Sequence, residues 1–490
     1  MGKSDMGTRA ARRLPVRTKL LFGVGQGVEV SATFVANTFL LFYLTSVVGI
    51  SPAVAGTVIF LSLLVDAVAD PLIGSWSDRS QSRWGRRLPF MIGGLPVICI
   101  ASLALFGIPI SGGTVSAIGL ALLSNILLRV GTSIYALPYA ALTAELTTDY
   151  DERSSVTVYR MIFGFVGTVL TIAPAFGVIF TTKEDYASRS AYVQLGLLLT
   201  VVVLTMGLAC IIGVRRAVAS SAAEHLPPSA TSKSFLEDLK DLARNRSFMV
   251  LFTSALIVLI IAGSMNALNL YAYNHFWKLP AAQNQFPIVG FQVGLLLGIP
   301  LTALILQRME KRDVIVLGII VVAVGQASSV LTAYQWLGPL PTPAATAVLV
   351  VASVSFGACN SLFFIGFQSM IADAVDEHEL KFGQRCEGLY FSALVFSAKA
   401  ATGIGSLVAG LVLSSVGLKA TANTVAVLPE RSATFLGLLW GAGHGLAFLV
   451  VLPLILTYRL GRARHQEIIV ELNQRRSTRT ARPTGLLGTD

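Results

Sequence analysis

The chain has 490 residues, of which 54% are hydrophobic and only 13% are charged, and its formal net charge is +11 at pH 7. Soluble domains carry about a quarter charged residues, so this composition excludes an ordinary soluble protein and favours a membrane protein. Four scattered cysteines without a C-x-x-C spacing indicate neither a metal site nor a disulfide framework.

The first apolar stretch follows a basic N-terminal segment and runs from Leu20 to Val48. It is too long for the apolar region of a signal peptide and contains Glu29, so we predict that it is retained as a first transmembrane helix. Because about 20 apolar residues span a bilayer, the sequence predicts an all-α membrane protein with 12 transmembrane helices in two six-helix pseudo-repeats. The predicted spans are 20–48, 53–76, 89–109, 114–142, 157–181, 191–213, 248–274, 287–307, 314–334, 344–372, 387–418 and 432–459.

Basic residues predict the orientation of these spans. With both termini on the cytoplasmic side, 29 Lys and Arg residues face the cytoplasm, five face outward and three lie in the interior of spans. This distribution is the positive-inside bias of membrane proteins. The net charge is then explained by contact with anionic lipid, and no nucleic-acid partner is needed.

A polar segment rich in Pro and Ser, SSAAEHLPPSATSKS, divides the chain into two halves. We expect a cytoplasmic tail at 1–19, a six-helix bundle at 20–213, a cytoplasmic linker at 214–247, a second bundle at 248–459 and a cytoplasmic tail at 460–490. At an offset of 228, three charges recur with the same sign: Glu145 and Asp373, Asp149 and Glu377, Arg153 and Lys381. The halves are therefore predicted to be parallel repeats.

Six charged side chains fall in the interior of the predicted spans: Glu29, Asp66, Asp70, Arg129, Arg160 and Lys399. Each costs about 2.5–3.5 kcal/mol at the centre of a bilayer, so such residues normally face a bundle interior and serve a function. Three acids and three bases can neutralise one another around a shared polar pathway, which is typical of a transporter.

Asp66 and Asp70 are four residues apart and therefore lie on one helix face. Their carboxylates repel each other, and a bound proton or small cation relieves this repulsion. We therefore predict that the pair binds a coupling cation. The alternative is that both acids only form structural ion pairs with Arg129 or Lys399. Pro71 lacks an N–H and loosens the helix beside the pair.

The loop after the second span is strongly charged, with Asp78, Arg79, Arg86 and Arg87 on the predicted cytoplasmic side. We predict that these residues form a gate, a charge latch that holds the loop to neighbouring helix ends in one state. The alternative is that the arginines only anchor the loop to lipid.

Two tyrosines accompany the intramembrane charges. Tyr135 and Tyr159 can offer rings and hydroxyls to a sugar or another amphipathic solute, so we predict them as substrate-binding residues together with Glu29 and Arg129. The alternative for both tyrosines is packing within the bundle.

Three segments resemble one family. DAVADPLIGSWSDRSQSRWGRRLPF resembles the helix 2–3 signature of the glycoside–pentoside–hexuronide:cation symporters, the melibiose-permease-like branch of the major facilitator superfamily. PYAALTAELTTDYDERSSVTVYR and ADAVDEHELKFGQRCEGLYFSALVFSAKA resemble its helix 4–5 and helix 10–11 segments. The resemblance implies the major facilitator fold, alternating access and cation-coupled sugar uptake. It also implies a cation site at Asp66, Asp70 and Ser133, with Arg160 and Lys399 beside the solute and cation sites.

The chain departs from the melibiose permeases at three positions. The two aspartates that read the sugar there correspond to Val30 and Ala136, and the asparagine between the cation-site aspartates corresponds to Ala69. Without that amide oxygen, we expect coupling to a proton rather than to sodium. Because Arg129 lies on the same helix face, we expect an anionic solute such as a hexuronide or glucuronide, since arginine binds a carboxylate through two hydrogen bonds.

Other functions stay open at this point. The alternative is a transporter of an amphipathic or anionic solute that is not a sugar, such as a lysophospholipid. A lateral opening between helices and an apolar cavity would favour the amphipathic substrate. The sequence has no H-E-x-x-H, P-loop or nucleophile-elbow motif, so we expect no enzyme, no catalytic residue, no metal and no cofactor. A receptor or scaffold would not need six buried charges. We expect a monomer in the plasma (inner) membrane, with a solute, a coupling cation and the lipid bilayer as partners.

Overall fold

The computed structural model is built from helices. It describes residues 14–80, 82, 84–108, 113–147, 149–221, 235–383, 386–420, 422 and 428–480, and it contains no strand within those ranges. Parts of the predicted tails and linker, residues 1–13, 222–234 and 481–490, lie outside the described residues.

Twelve helices in the described ranges are long and apolar enough to cross a membrane, as predicted. Spans 1 to 6 are Val16–Ser46, Pro52–Arg79, Leu88–Phe106, Thr114–Thr143, Glu152–Ile179 and Arg189–Arg215. Spans 7 to 12 are Arg246–Phe276, Ala281–Leu306, Lys311–Ala333, Pro343–Phe382, Glu387–Ser415 and Glu430–Leu456. A helix satisfies its own backbone hydrogen bonds, which is what a lipid environment requires, and the chain is therefore an integral membrane protein.

Local sequence signals explain where several spans begin. Pro52 occupies the start of span 2, where its missing N–H is not needed. Thr342 caps span 10 by accepting a hydrogen bond from the N–H of Ala345 at 3.1 Å. Asp149 caps the helix of span 5 by accepting from the N–H of Glu152 at 2.9 Å. Each cap satisfies a backbone donor that has no partner within the helix.

Span 10 extends further than predicted. We expected it to end near residue 372, but its helix continues to Phe382. Glu377 and Lys381, four residues apart, form an ion pair of 2.7 Å that supports the added turns, and Gly383 ends the helix with a φ of 79°. The segment ADAVDEHELK is therefore continuous helix, whereas its counterpart AELTTDYDER is interrupted after Leu146.

Two further helices lie outside the spans, Phe235–Arg244 in the linker and Arg462–Thr480 after span 12. The second, which we call the C-terminal helix, buries Ile468 and Leu472. Its Arg475 donates to the carbonyl of Leu380 in span 10 at 2.8 Å. The predicted tail at 460–490 thus begins with a helix that packs against span 10.

The chain packs as two compact units. The first comprises Met1–Pro228, Asn266–Gln285 and Ser406–Ala433, and the second comprises Ser229–Met265, Phe286–Gly405 and Thr434–Asp490. The units differ from the predicted halves because two segments of the second half pack into the first unit. In one of them, the Tyr271 hydroxyl lies 2.6 Å from Thr45 Oγ1, and its ring centroid lies 4.7 Å from that of Phe42.

Small residues allow the helices of each unit to touch closely. In the first unit, a Cβ at Gly131 of span 4 would lie 2.8 Å from the side chain of Val97 in span 3. Also in that unit, the Ser31 hydroxyl donates to the carbonyl of Gly167 at 3.1 Å. Such contacts hold helices together in lipid, where burial of apolar side chains gives no net driving force.

Candidate functional site

Polar side chains connect span 2 with span 4 inside the first unit. Nδ2 of Asn125 donates to Oγ of Ser62, and Oγ of Ser133 donates to Oδ1 of Asp66 at 2.8 Å. These contacts belong to two stripes with a spacing of four residues: Ser62, Asp66 and Asp70 on span 2, and Asn125, Arg129 and Ser133 on span 4. Residues spaced in this way share one helix face, and we call the six residues the polar ladder.

The ladder includes a carboxylate that is buried within a membrane span. Asp66 is only 4% exposed, whereas Asp70 is half-buried one turn further along span 2. A buried carboxylate needs donors or positive charge around it. Ser133 supplies a donor, and Arg129 supplies a positive charge that attracts Asp66.

Proline changes the backbone beside the two acids. Pro71 lies within the helix of span 2 and has no N–H, so the carbonyl of Ala67 one turn earlier loses its helical donor. Carboxylate, hydroxyl and carbonyl oxygens are ligands for small hard cations, and a carboxylate also binds a proton. The ladder can therefore hold either type of ion.

A second polar network joins spans 1, 4 and 5. Nη2 of Arg160 donates to Oε1 of Gln26 at 2.7 Å, and its Nη1 donates to Oγ1 of Thr143 at 3.0 Å. Gln26 then donates to Glu29 at 3.0 Å. The guanidinium of Arg160 also lies 4.8 Å from the ring centroid of Tyr139, a cation–π contact.

The amide of Gln26 thus links Glu29 to Arg160, two residues predicted to bind substrate. Sequence reasoning missed Gln26, although it lies three residues before Glu29 and hence on the same helix face. We call Gln26, Glu29, Thr143 and Arg160 the arginine network.

The two predicted tyrosines contact neighbouring helices. Tyr135 is fully buried, with its ring centroid 5.8 Å from that of Tyr139, and it lies against Gly25 of span 1. Tyr159 is half-buried, and its carbonyl lies against Gly23. Packing accounts for these contacts, and a role in substrate binding stays a prediction for both residues.

Lys399 is half-buried on span 11 and belongs to the second unit. The polar ladder and the arginine network belong to the first unit. The role of Lys399 beside a solute and cation site therefore stays a prediction.

Charged residues at the ends of spans 2 and 4 form a compact group. Glu145 accepts from Nη2 of Arg86 at 2.9 Å and from Nε of Arg87 at 3.1 Å. Arg87 is itself only 8% exposed, donates to Ser77 and pairs with Asp78. We call these five residues the first charge cluster. A buried arginine with several partners positions a loop far more firmly than an exposed ion pair does.

The structure brings together three of the four predicted gating residues. Asp78, Arg86 and Arg87 share the first charge cluster, whereas Arg79 is exposed and the described contacts of the cluster do not include it. Glu145, which the sequence indicated only as a repeat position, contacts both the half-buried Arg86 and the buried Arg87.

Sequence reasoning also missed two members of the polar ladder. The four-residue spacing that relates Asp66 to Asp70 extends back to Ser62, and a residue four positions before Arg129 is Asn125. Polar residues continued at this spacing within an apolar span could have identified both positions.

Twelve spans in the described residues, with a hydrogen-bonded carboxylate buried between two of them, are features typical of a membrane transport protein. The model of the MFS/sugar transport protein family matches residues 21–462, and the chain belongs to that family. The predicted family resemblance and the major facilitator fold are confirmed.

Several relatives align over most of this chain. The glucuronide carrier protein homolog of Escherichia coli (strain K12) is 25% identical over 95% of this chain and 97% of its own. The isoprimeverose transporter of Lactiplantibacillus pentosus is 25% identical over 85% of this chain and 84% of its own. Sodium-dependent lysophosphatidylcholine symporter 1 of Mus musculus is 25% identical over 80% of this chain and 76% of its own.

A solved structure shows the same fold. The crystal structure of a D-xylose–proton symporter covers 90% of this chain and 97% of its own, with a TM-score of 0.65 and 10% sequence identity. At this identity the likeness supports the fold alone.

Proposed function

We propose that the protein is a secondary active transporter that couples a cation to the symport of a glycoside, hexuronide or related sugar by alternating access. The observation that carries this proposal is Asp66, a carboxylate 4% exposed in span 2 and held by the Ser133 hydroxyl of span 4 at 2.8 Å. The relatives named as a glucuronide carrier homolog and an isoprimeverose transporter support the sugar class.

Asp66 and Asp70 bind the coupling cation in this proposal. Enclosing a bare carboxylate pair away from water is costly, and a bound cation removes much of that cost. The loaded carrier can therefore change conformation more readily than the carrier with two charged acids. A cation gradient then drives the solute because both must be bound before the change.

We propose a proton as the coupling ion, with sodium as the alternative. Ala69 lies between the two acids and offers no side-chain oxygen. Sodium needs several oxygen ligands, whereas a proton needs one carboxylate oxygen. Addition of solute should then alkalinise the medium without any requirement for sodium.

The solute lies, in this proposal, between the polar ladder and the arginine network of the first unit. Glu29, Arg129 and Arg160 supply charged groups to it, with Tyr135, Tyr159 and Lys399 as further predicted contacts. The first charge cluster acts as a gate, since Glu145 must release Arg86 and Arg87 if the ends of spans 2 and 4 are to separate.

The positive-inside bias supports cytoplasmic termini and a place in the plasma (inner) membrane, with 29 basic residues on one side against five on the other. On the same proposal the protein works as a monomer, because the coupling and solute residues named above occur within one chain.

Replacement of the acids tests the coupling. Asp66→Asn and Asp70→Asn should each lower accumulation against a gradient by tenfold or more, because an amide cannot take up and release the cation. The measurement is uptake of labelled methyl β-D-glucuronide and of labelled isoprimeverose into cells that express the protein. Exchange of solute across the membrane should persist, since the solute site is intact.

Glu467→Gln is the matched control, because Glu467 is an exposed acid of the C-terminal helix that pairs with Arg464 at 2.7 Å. It should accumulate solute as the wild type does. Normal accumulation by Asp66→Asn or Asp70→Asn would contradict the coupling role of that acid.

A lysophospholipid is the second candidate solute, and the mouse relative supports it. Lysophosphatidylcholine is therefore the third probe in the same uptake assay. Transport of this lipid together with failure of both sugars would replace the first proposal with the second.

A further inference from the structure

The C-terminal helix is attached to three spans of the second unit. Its first residue, Arg462, donates from its backbone N–H to Oε2 of Glu310, which precedes span 9, at 3.2 Å. Nη2 of the same residue donates to the carbonyl of Leu306, the last residue of span 8, at 3.2 Å. Near the other end of the helix, Arg475 donates to the carbonyl of Leu380 in span 10. The helix therefore joins the ends of spans 8, 9 and 10 on the side proposed to be cytoplasmic.

A histidine makes one of the contacts between this helix and span 10. Nε2 of His465 lies 3.0 Å from Oδ2 of Asp376 and 3.5 Å from Oδ1 of Asp373. We call this pairing the histidine contact. A neutral imidazole can donate one hydrogen bond from Nε2, whereas a protonated imidazole also carries a positive charge that attracts both carboxylates. Protonation therefore strengthens the contact.

The charged side chains around the histidine contact come from three elements: Lys311 of span 9, Glu377 and Lys381 of span 10, and Arg462, Arg464 and Glu467 of the C-terminal helix. Lys311 donates to Asp373 at 2.6 Å. Glu377 pairs with Lys381, and Glu467 pairs with Arg464, both at 2.7 Å. Carboxylates, lysines and arginines normally keep their charge from about pH 6 to 8, whereas histidine normally changes its charge in this range.

The histidine contact is accessible to water. The His465 side chain is 25% exposed and lies beyond the end of span 12 at Leu456. It belongs to the second unit, whereas the polar ladder belongs to the first. A proton can therefore bind His465 from the surface of the protein, independently of the acids proposed to bind the coupling cation.

We propose that His465 is a regulatory proton-binding site and that its protonation slows transport. The protonated imidazole holds the C-terminal helix firmly on Asp373 and Asp376. The helix then restrains the ends of spans 8, 9 and 10, which must be free to shift during alternating access. Loss of the proton loosens the helix and removes the restraint. The effect on transport, but not the contact itself, rests on the proposed function.

The direction of the pH effect follows from linkage. The attached helix binds the proton more tightly than the detached helix does, because only the attached helix brings the imidazole to two carboxylates. Attachment is therefore strongest at low pH and weakens as the pH rises through the titration of the imidazole. In a proton symporter, each transport cycle adds a proton to the cytoplasm, so the histidine contact would slow uptake as the cytoplasm becomes acidic.

Hydrogen exchange measures the attachment directly. The backbone amides of residues 462–475 are followed by mass spectrometry in the purified full-length protein at about pH 6 and about pH 8. The rates are corrected for the intrinsic effect of pH on exchange. In the wild type, protection of this helix should be on the order of fivefold stronger at the lower pH, because a neutral donor becomes a charged one.

Three variants and a control separate charge from other effects. His465→Gln cannot gain a charge, so its helix should be weakly protected at both pH values. His465→Arg keeps a positive charge, so its helix should be strongly protected at both. Asp376→Asn removes the closest carboxylate and should lose most of the pH dependence. Gln466→Ala changes an exposed neighbour on the same helix and should behave as the wild type.

Solute exchange measures the effect on transport. Labelled methyl β-D-glucuronide and labelled isoprimeverose are exchanged across proteoliposomes with equal pH on both sides. Each variant is compared with the wild type at the same pH, which removes the effect of pH on the proposed coupling acids. At about pH 6, His465→Gln should exchange solute up to about fivefold faster than the wild type. At about pH 8 these two should be equal, and His465→Arg should be slower than both.

The outcomes separate this inference from the proposed function. Equal protection of the wild-type helix at both pH values would overturn the proton-binding site. If protection depends on pH but the wild type and His465→Gln exchange solute equally at about pH 6, the regulatory role is overturned and sugar symport stands. If the wild type exchanges neither solute, the proposed function fails, and hydrogen exchange of the variants decides on the histidine contact by itself.

Discussion

Spans 2 and 4 of the first half meet through polar side chains, whereas the corresponding spans 8 and 10 of the second half meet through glycine. The offset of 228 that relates Glu145 to Asp373 also relates the polar positions of span 2 to glycines of span 8. The pairs are Ser62 and Gly290, Asp66 and Gly294, Asp70 and Gly298. The same spacing of four residues therefore carries polar side chains in one half and glycines in the other.

The glycines of span 8 lie directly on the backbone of span 10. A Cβ at Gly294 would collide with the carbonyl oxygen of Val354, and one at Gly298 would lie 2.6 Å from the carbonyl oxygen of Ala358. Gly357, the counterpart of Arg129, is equally close to the backbone of span 8. We call Gly290, Gly294, Gly298 and Gly357 the glycine seam.

The comparison separates two properties of a repeat. The offset determines which positions of the two helices face each other, and the residue type determines what the contact does. At the ladder, spans 2 and 4 meet through hydrogen-bonded side chains, which are the groups proposed to bind the cation. At the glycine seam, spans 8 and 10 meet through backbone atoms, so the second half offers packing at the equivalent positions.

The glycine seam should not tolerate even one methyl group. Gly294→Ala places its Cβ against a backbone oxygen that cannot rotate away, so spans 8 and 10 must separate. We expect a loss of about 3 kcal/mol in the free energy of unfolding, at the upper end for overpacking. The measurement is the thermal unfolding midpoint of purified protein, together with the yield of folded protein.

Gly325→Ala provides the matched control, since a Cβ at Gly325 of span 9 has no atom of the described residues within 4 Å. It should unfold at or above the wild-type temperature, because alanine favours helix over glycine. Equal stability of the two alanine variants would mean that the contact between spans 8 and 10 is not as close as the structure has it.

The ion pairs at the ends of spans 4 and 10 also differ between the two halves. In the second half, Asp373 accepts from Nζ of Lys311 at 2.6 Å, and His465 of the C-terminal helix lies 3.5 Å from Asp373 and 3.0 Å from Asp376. We call these four residues the second charge cluster. Glu145 and Asp373 thus occupy equivalent positions, but only the second cluster includes a residue of the C-terminal helix.

Removal of the two equivalent acids should therefore have unequal effects. The Asp373 side chain is 8% exposed and that of Glu145 is 25% exposed. Asp373→Asn should cost about 2 kcal/mol of stability, and Glu145→Gln about 1 kcal/mol, because partial exposure weakens an ion pair. Unfolding midpoints of both variants, measured at low and high salt, test this order.

Release of the C-terminal helix gives an independent measurement. Asp373→Asn should speed proteolysis between Leu460 and Arg475, whereas Glu145→Gln should leave this region as resistant as in the wild type. The explanation fails if the two variants lose stability equally and the C-terminal helix is cleaved at the same rate in both.

Sequence reasoning predicted the twelve spans, which the described residues contain, and singled out the two acids proposed to bind the cation, because both depend on patterns within one helix. Apolar length identifies a span, and four-residue spacing places Asp66 and Asp70 on one face. The hydrogen bond from Nη2 of Arg129 to Oδ1 of Asn37 carries no such pattern, since it depends on how spans 1 and 4 are rotated about their axes. No periodicity within a single helix contains that information.

The contact at the glycine seam was also only partly predictable from the sequence. Glycines four residues apart in span 8 indicate a close helix contact, but the sequence does not say which helix makes it. The length of span 10 was underestimated for a related reason. The last turns of span 10 are polar and are stabilised by an ion pair and by packing of the C-terminal helix. A prediction based on the length of an apolar stretch does not include these interactions.

Two serines at equivalent positions of the halves differ in the acceptor of their hydrogen bond, and this gives the smallest expected effect. Ser133 donates to the Asp66 carboxylate at 2.8 Å, and its counterpart Ser361 donates to the carbonyl of Leu295 at 2.8 Å. A hydrogen bond to a charged acceptor contributes about 1.5–3 kcal/mol and one to a neutral carbonyl about 1 kcal/mol. Ser361→Ala should therefore lower stability by about 1 kcal/mol and leave cation affinity unchanged.

Ser133→Ala should instead change the affinity of Asp66 for the cation, and the sign depends on the ion. If the ion is a proton, loss of the donor destabilises the charged carboxylate, and half-maximal uptake moves to higher pH by about one unit. If the ion is sodium, loss of a ligand oxygen weakens its binding, and half-maximal uptake requires more sodium. Uptake measured over pH at fixed sodium, and over sodium at fixed pH, distinguishes these results. Ser361→Ala is the control in the same assay, because it removes a hydroxyl that only bonds a backbone carbonyl. If Ser133→Ala shifts neither the pH nor the sodium concentration of half-maximal uptake, the Ser133 hydroxyl does not contact the coupling site during transport.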